Sequence, residues 1–227
     1  MYFYTNTEVM ASTTRENYIK ALFYLHQKNE DISLSDLGAV LAVSKPTAND
    51  MIKKLQADGL VATAKYKPIR ITNKGLRQAA SIIRKHRLSE MFLMQIMNFG
   101  WEEVHDIAEE LEHVPSEHFF DRMDEILGFP TVDPHGSPIP DKQGNYVKIE
   151  YKRLSQIAVG CRVVVKALRD SSMEFLLFLN KKSIKLQSQI TVLQIETFDG
   201  SYSIALGDGE QVVLSKAVCD RLLVEEV

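Results

Sequence analysis

Residues 44–59, SKPTANDMIKKLQADG, carry the signals of a short, sharply bounded helix. Ser44 is placed to cap its N-terminus, Pro46 lies in the first turn where a missing N–H costs little, and Gly59 supplies the stop. Upstream, residues 35–42 (SDLGAVLA) predict a second helix capped by Ser33 or Ser35, with Leu37, Val40 and Leu41 turned inward and a break at Val43-Ser44. Further upstream, residues 14–28 (TRENYIKALFYLHQK) place Tyr18, Ile19, Leu22, Phe23 and Leu25 at helical spacing behind Thr13 or Thr14 as a cap. Downstream, LVATAKYKPIRITNKG alternates apolar and polar residues around Lys67-Pro68, as a short hairpin does. Helix, helix, turn, helix and hairpin within residues 14–73 make a winged helix-turn-helix.

That unit points toward DNA. The early positions of the third helix (Ser44, Lys45, Pro46, Thr47, Asn49 and Asp50) are short or basic and can reach base edges in a major groove about 12 Å wide. Lys53 and Lys54 lie one face round, and the hairpin adds Lys65, Lys67 and Arg70 for phosphates. Residues 44–77 hold eight basic side chains against two acidic ones, Asp50 and Asp58. Phosphate contacts would make affinity fall by about 0.9 log units per log unit of salt for each phosphate neutralised. The competing structural reading is a winged helix used only to dock a protein.

The remainder divides in two. From Lys74 a long helix is expected to about Asn98, with Leu76, Ala79, Ala80, Ile83, Leu88, Phe92 and Ile96 as its apolar stripe; residues 102–113 and 116–127 predict two more. The stretch 129–144, FPTVDPHGSPIPDKQG, holds four prolines and two glycines and reads as a linker or extended loop. Beyond residue 154, VGCRVVVKAL, QITVLQIET, SYSIALG and EQVVLSKAV are short β-type runs interrupted by one helical segment, SSMEFLLFLNKKS. Segments 1–75, 76–150 and 151–227 are thus expected to form a winged helix-turn-helix, a helical domain and a small β-barrel, in a chain that is mainly α with a small β part.

Composition excludes several classes. The 227 residues are 45% apolar and 25% charged, which are globular proportions. No apolar run approaches the ~20 residues of a membrane span. The N-terminus lacks the basic and apolar regions of a signal peptide, and two cysteines, Cys161 and Cys219, make no disulfide framework. A cytoplasmic protein is the expectation. The net charge of −3 hides an asymmetry: 11 Lys and Arg against 7 Asp and Glu in residues 1–80, but 6 against 14 in residues 81–150. One part faces an anion and another gathers cations.

The acidic part is patterned. VHDIAEELEHV spaces His105, Glu109, Glu112 and His113 at i, i+4, i+7 and i+8, within about a third of a helix circumference, and RKHRLSE sets His86 and Glu90 four apart. Two adjacent helices can aim six nitrogen and oxygen donors into one gap. With no thiol nearby, the set suits Mn²⁺ or Fe²⁺ better than a structural zinc site. A Glu/His-rich helix is more often a solvated face, and each residue alone would be read that way. Together, beside Val104, Ile107, Ala108 and Leu111, these groups would be costly to bury without a cation.

TTRENYIKALFYL, SKPTANDMIKKLQADGLV, RKHRLSEMFL, VHDIAEELEHVPSE and GSPIPDKQG together resemble the diphtheria-toxin-repressor and manganese-transport-regulator family of metal-dependent transcriptional repressors, over essentially the whole chain. The resemblance implies an SH3-like (FeoA-type) C-terminal domain, a homodimer built on helices 102–127, and binding of double-stranded DNA at a palindromic operator. It implies an ancillary metal site at His86, Glu90 and His105, completed from the C-terminal domain by Glu174 or Asp170. It implies an activating site at Glu109, Glu112 and His113 plus a ligand from the first helix. Glu109 stands where iron-responsive members have Cys and manganese-responsive ones an acidic residue, which favours Mn(II) over Fe(II). The first-helix ligand, Met or Asp in the family, falls on Asn17, with Glu16 as a substitute about 100° away. The chain is then a non-enzymatic repressor controlling metal-ion homeostasis genes. Two rivals share these residues: a hydrolase using metal-bound water, although no separate general base is evident, and a winged-helix regulator answering a non-metal ligand.

Overall fold

The computed structural model describes residues 6–64, 67–147 and 149–227, with side chains from residue 12 onward. The chain forms two compact units, one of the residues up to His86 with Glu109–Glu117 and Pro140–Tyr146, the other of Arg87–Ala108, His118–Ile139 and Val147–Val227.

The first unit contains the helix-turn-helix. Helix α1 (Asn6–Lys28) starts before Thr13 because residues 6–13 hold neither glycine nor proline to stop it. Helix α2 (Leu34–Val40) is capped by Ser33, whose Oγ accepts from the Asp36 amide at 3.0 Å. Helix α3 (Lys45–Ala57) is capped by Ser44, which accepts from the Thr47 amide at 3.3 Å, with Pro46 in its first turn. Gly59 follows α3 in the left-handed region. Strands β1 (Val61–Ala62) and β2 (Arg70–Ile71) pair antiparallel as a two-residue ladder, and Ile32 bridges to Ile69. Tyr18, Ile19, Leu22, Leu37, Ile52, Leu55, Leu60 and Ile71 close the core with Ala79 and Ile83 of α4 (Asn73–Gln95). Val40 is exposed rather than inward, because α2 ends there. Ile96 is exposed as well, because α4 stops at Gln95.

Helices α5 (Val104–Leu111) and α6 (Glu117–Ile126) are each shorter than their apolar patterns predict. In the second unit, strands β3 (Lys152–Arg153), β4 (Arg162–Leu168), β5 (Gln189–Ile195), β6 (Tyr202–Leu206), β7 (Gln211–Leu214) and β8 (Leu222–Glu226) form one antiparallel sheet in the order β3-β8-β4-β5-β6-β7. Among the described residues no ladder joins β7 to β3, so the SH3-like sheet is not a closed barrel. Alternate residues Val163, Val165, Ile190, Val192, Ile204 and Leu214 face inward, covered by Phe175, Leu176 and Leu179 of α7 (Met173–Lys181). Helix α8 (Lys216–Cys219) precedes β8 and brings Cys219 into this core.

Two consequences are measurable. A Cβ on Gly75 would lie 2.2 Å from the Leu60 carbonyl oxygen and 2.7 Å from Ile71 Cγ1. Gly75→Ala is therefore expected to cost about 1–3 kcal/mol, read as a lowered thermal midpoint. Burial, then the Asp220 carboxylate, pushes the Cys219 thiol up to about 12. At pH 8 a thiol reagent is expected to spare Cys219 in the folded protein and modify it after unfolding; native reaction of both cysteines would contradict this. Because the folded state holds this proton more tightly, its advantage is present below the ordinary thiol range and is lost as pH rises from about 9 to about 12.

Candidate metal centre

Three segments of the first unit meet at Glu112. Helix α1 supplies Glu16, Asn17 and Lys20; Lys20 lies four residues from Glu16 and three from Asn17, so it neighbours each of them on the helix surface. Helix α4 supplies His86, while Glu109 lies in the last turn of α5 and Glu112 and His113 directly after it. His86 Nδ1 lies 2.7 Å from Glu112 Oε2 and 3.8 Å from Glu109 Oε1. Each of these three residues offers one donor atom within 4.8 Å of the others. His113 Nδ1 lies 2.5 Å from Glu16 Oε2, and its Nε2 lies 3.8 Å from Glu112 Oε1.

The charges are strongly coupled. Glu112 is 1% exposed, so its carboxylate requires partners. Lys20 donates to it and to Glu109, and burial of Lys20, which disfavours its charge, is outweighed first by the Glu112 charge and then by the hydrogen bonds to Glu109 and Glu112. The Lys20 ammonium is therefore held above the ordinary lysine range. Asn17 Oδ1 is buried with no hydrogen-bond partner. The amide oxygen of Asn17, with the carboxylates of Glu109 and Glu112 and the imidazoles of His86 and His113, makes a set of donor types that fits a hard or borderline divalent cation.

The second unit holds a separate polar group. Glu90 and His105, both expected in an ancillary site, approach at 3.4 Å. Glu90, Asp133 and His135 are all buried, with donor atoms within 4.8 Å. Asp133 Oδ1 accepts from the His135 and Ser137 amides, and Arg87 lies 3.3 Å from its other oxygen. Burial and then Glu90 raise the Asp133 carboxyl, against the pull of Arg87. His135 Nε2 meets the Trp101 carbonyl at 2.9 Å, and the two rings stack. Asp133 and His135 are hard to see in sequence because the proline spacing around them reads as linker; the local signal there is the pair D-x-H. Lys20 carries no signal in sequence, because a helical lysine reads as solvated.

Glu174 is exposed in the first turn of α7 and joins none of the three-donor groups among the described residues. Asp170, the other candidate, is 3.3 Å from Arg221 and accepts from the Ser172 amide. Of the residues expected to contact DNA, Ser44, Lys45, Pro46, Thr47, Asp50 and Lys53 of the α3 region are exposed and Asn49 is half-buried. Asp50 pairs with Lys53 at 3.0 Å. Lys67 is exposed on the wing, Arg70 is held by Asp31 at 2.7 Å, and Lys65 lies outside the described residues.

The chain is similar to known proteins along its length. Family models for the N-terminal DNA-binding domain and for the metal-binding and dimerisation domain of iron-dependent repressors match residues 10–69 and 72–141, and that of the FeoA domain matches 152–226. The iron-dependent repressor IdeR of Mycobacterium leprae is 34% identical over 127 residues, 56% of this chain and 55% of that protein. IdeR of Mycobacterium tuberculosis is 28% identical over 226 residues, covering 94% of this chain and 97% of the relative. A solved manganese-dependent transcriptional repressor in complex with manganese superposes with a TM-score of 0.85 at 32% identity, over 93% of this chain and 99% of the other. The chain belongs to the diphtheria-toxin-repressor family of metal-dependent, DNA-binding transcriptional repressors.

Removing the Glu112 carboxylate takes two of the three carboxylate oxygens from the ammonium of Lys20 and the 2.7 Å partner from the ring of His86. Glu112→Ala is expected to lower the metal-free stability by about 3–5 kcal/mol in urea unfolding. A change under about 1 kcal/mol would show that the cluster is not what holds these three segments.

Proposed function

We propose that this repressor answers Mn²⁺, with Fe²⁺ as the second choice, and reads a palindromic operator as a homodimer. In this reading residues 1–75 contact DNA, 76–150 bind metal and dimerise, and 151–227 form an accessory SH3-like domain. Glu109, Glu112 and His113, with Asn17 or Glu16, hold the activating ion, and His86, Glu90 and His105 hold an ancillary one. The preference for Mn²⁺ is supported by a donor set of carboxylate, imidazole and amide without thiolate. It is supported further by the likeness to the solved manganese-dependent transcriptional repressor in complex with manganese.

The observation that carries the reading is that α1 reaches the 109–113 segment through its own polar face, by Glu16 to His113 and Lys20 to Glu109 and Glu112. A divalent ion supplies there the charge that neutralises the carboxylates. The remaining work is done by the chain. Tyr18, Ile19 and Leu22 of α1 pack into the core shared with Leu37 of α2 and Ile52 and Leu55 of α3, so restraining α1 restrains the helix that reads DNA. In a symmetric dimer such restraint fixes the spacing of two reading helices about one DNA turn apart. The ordering cost of α3 is then met before DNA arrives. That gives a coupling of about 1–3 kcal/mol, or 5–150-fold in affinity.

The test is to titrate Mn²⁺, and Fe²⁺ without oxygen, against a duplex selected from a random pool by the manganese-loaded protein. Wild type is expected to tighten 5–150-fold, and Glu109→Ala and His113→Ala to lose most of that response. DNA binding that ignores metal in wild type and in both variants would overturn the proposal.

A further inference from the structure

The charged group at the centre of the cluster is one that no metal can use. Lys20 Nζ lies 2.6 Å from Glu109 Oε1 and 2.8 Å from each oxygen of Glu112, and its side chain is only 11% exposed. An ammonium has three donors and no lone pair, so it satisfies carboxylates but cannot ligate a cation. Its position is that of a cation: three carboxylate oxygens from two residues surround one positive charge, at the short end of the range for charge-assisted bonds. A divalent ion drawing on the same oxygens would stand within a few ångström of Nζ, where like charges repel strongly in a site shielded from water.

We propose that Lys20 is a built-in competitor of the metal: its ammonium and a divalent cation exclude each other at Glu109 and Glu112, and withdrawal of Lys20 sets the threshold of the metal response. This rests on the assignment of the activating ion to those carboxylates. The geometry gives the competition a structural role too. Lys20 lies one helical turn from Glu16 and from Asn17, so its departure removes one link between α1 and Glu112 while Glu16 and the orphan Asn17 oxygen, its neighbours on either side, are the α1 donors left to replace it. Metal binding then exchanges a long, flexible lysine link for short ligands. The competitor weakens every divalent ion alike, which filters out those whose intrinsic affinity for oxygen donors is low.

The experiment is a titration of Mn²⁺ into the full-length metal-free protein, followed by calorimetry and by loss of the free-Mn²⁺ electron paramagnetic resonance signal. Wild type is compared with Lys20→Met, Lys20→Gln and Lys20→Arg, folding being checked by circular dichroism. Lys20→Met and Lys20→Gln are expected to bind Mn²⁺ about tenfold or more tightly than wild type, within the range of ordinary coupling, and Lys20→Arg to stay near wild type. The two neutral variants are also expected to melt lower without metal and to gain more on adding it. Neutral variants that bind with wild-type or weaker affinity would overturn the competition. Glu112→Gln separates the two claims: if it keeps wild-type Mn²⁺ affinity, the assignment of the metal to this carboxylate fails. If it loses affinity while neither neutral Lys20 variant gains any, Lys20 alone is misassigned.

Discussion

A buried carboxylate is expensive unless something positive sits against it, and the first unit is arranged around one, Glu112. Its two oxygens receive an ammonium from α1 and face an imidazole from α4, while the next residue, His113, pairs with Glu16 of α1. Three segments far apart in sequence are thereby held by charge rather than by apolar contact alone. Apolar packing is indifferent to which ions are present. A cluster of carboxylates and imidazoles is not, and in the proposed function this difference is what would let α1 respond to metal.

In the same proposal the apolar core would pass that response to the helix expected to read DNA. Helix α1 contributes both to the charged cluster and to the packing around α2 and α3, with Lys20 on one face and Tyr18, Ile19 and Leu22 buried. Because side chains in a close-packed core do not slide past one another, a restraint on α1 is shared by α3. Ser44 and Pro46 define where α3 begins, and so which of its residues stand first toward a groove.

Much of this was legible in the chain itself, for local reasons. Ser33, Ser44 and Gly59 act within one helical turn, so the bounds of α2 and α3 follow from neighbours in sequence. The Glu/His spacing of 105–113 was equally readable, since it depends only on the helical repeat. What escaped depends on distant partners. Val40 and Ile96 fit an apolar stripe but are exposed, because each lies at or beyond its helix end. Strand β8, paired between β3 and β4, ends in Glu225-Glu226 and hides its alternation within five residues. His86 continues the His86–Glu90 pattern in sequence, yet its nitrogen meets Glu112, 26 residues on. Lys20 looks like any exposed lysine until the carboxylates it meets, 89 and 92 residues away, are known.

The most direct measurement is anomalous diffraction at the manganese edge from crystals of the full chain grown with Mn²⁺. The account predicts a strong peak enclosed by Glu109, Glu112 and His113, with an α1 side chain, Asn17 or Glu16, turned onto it and Lys20 moved aside. Crystals that bind manganese only elsewhere, with Lys20 still seated on Glu109 and Glu112, would contradict it.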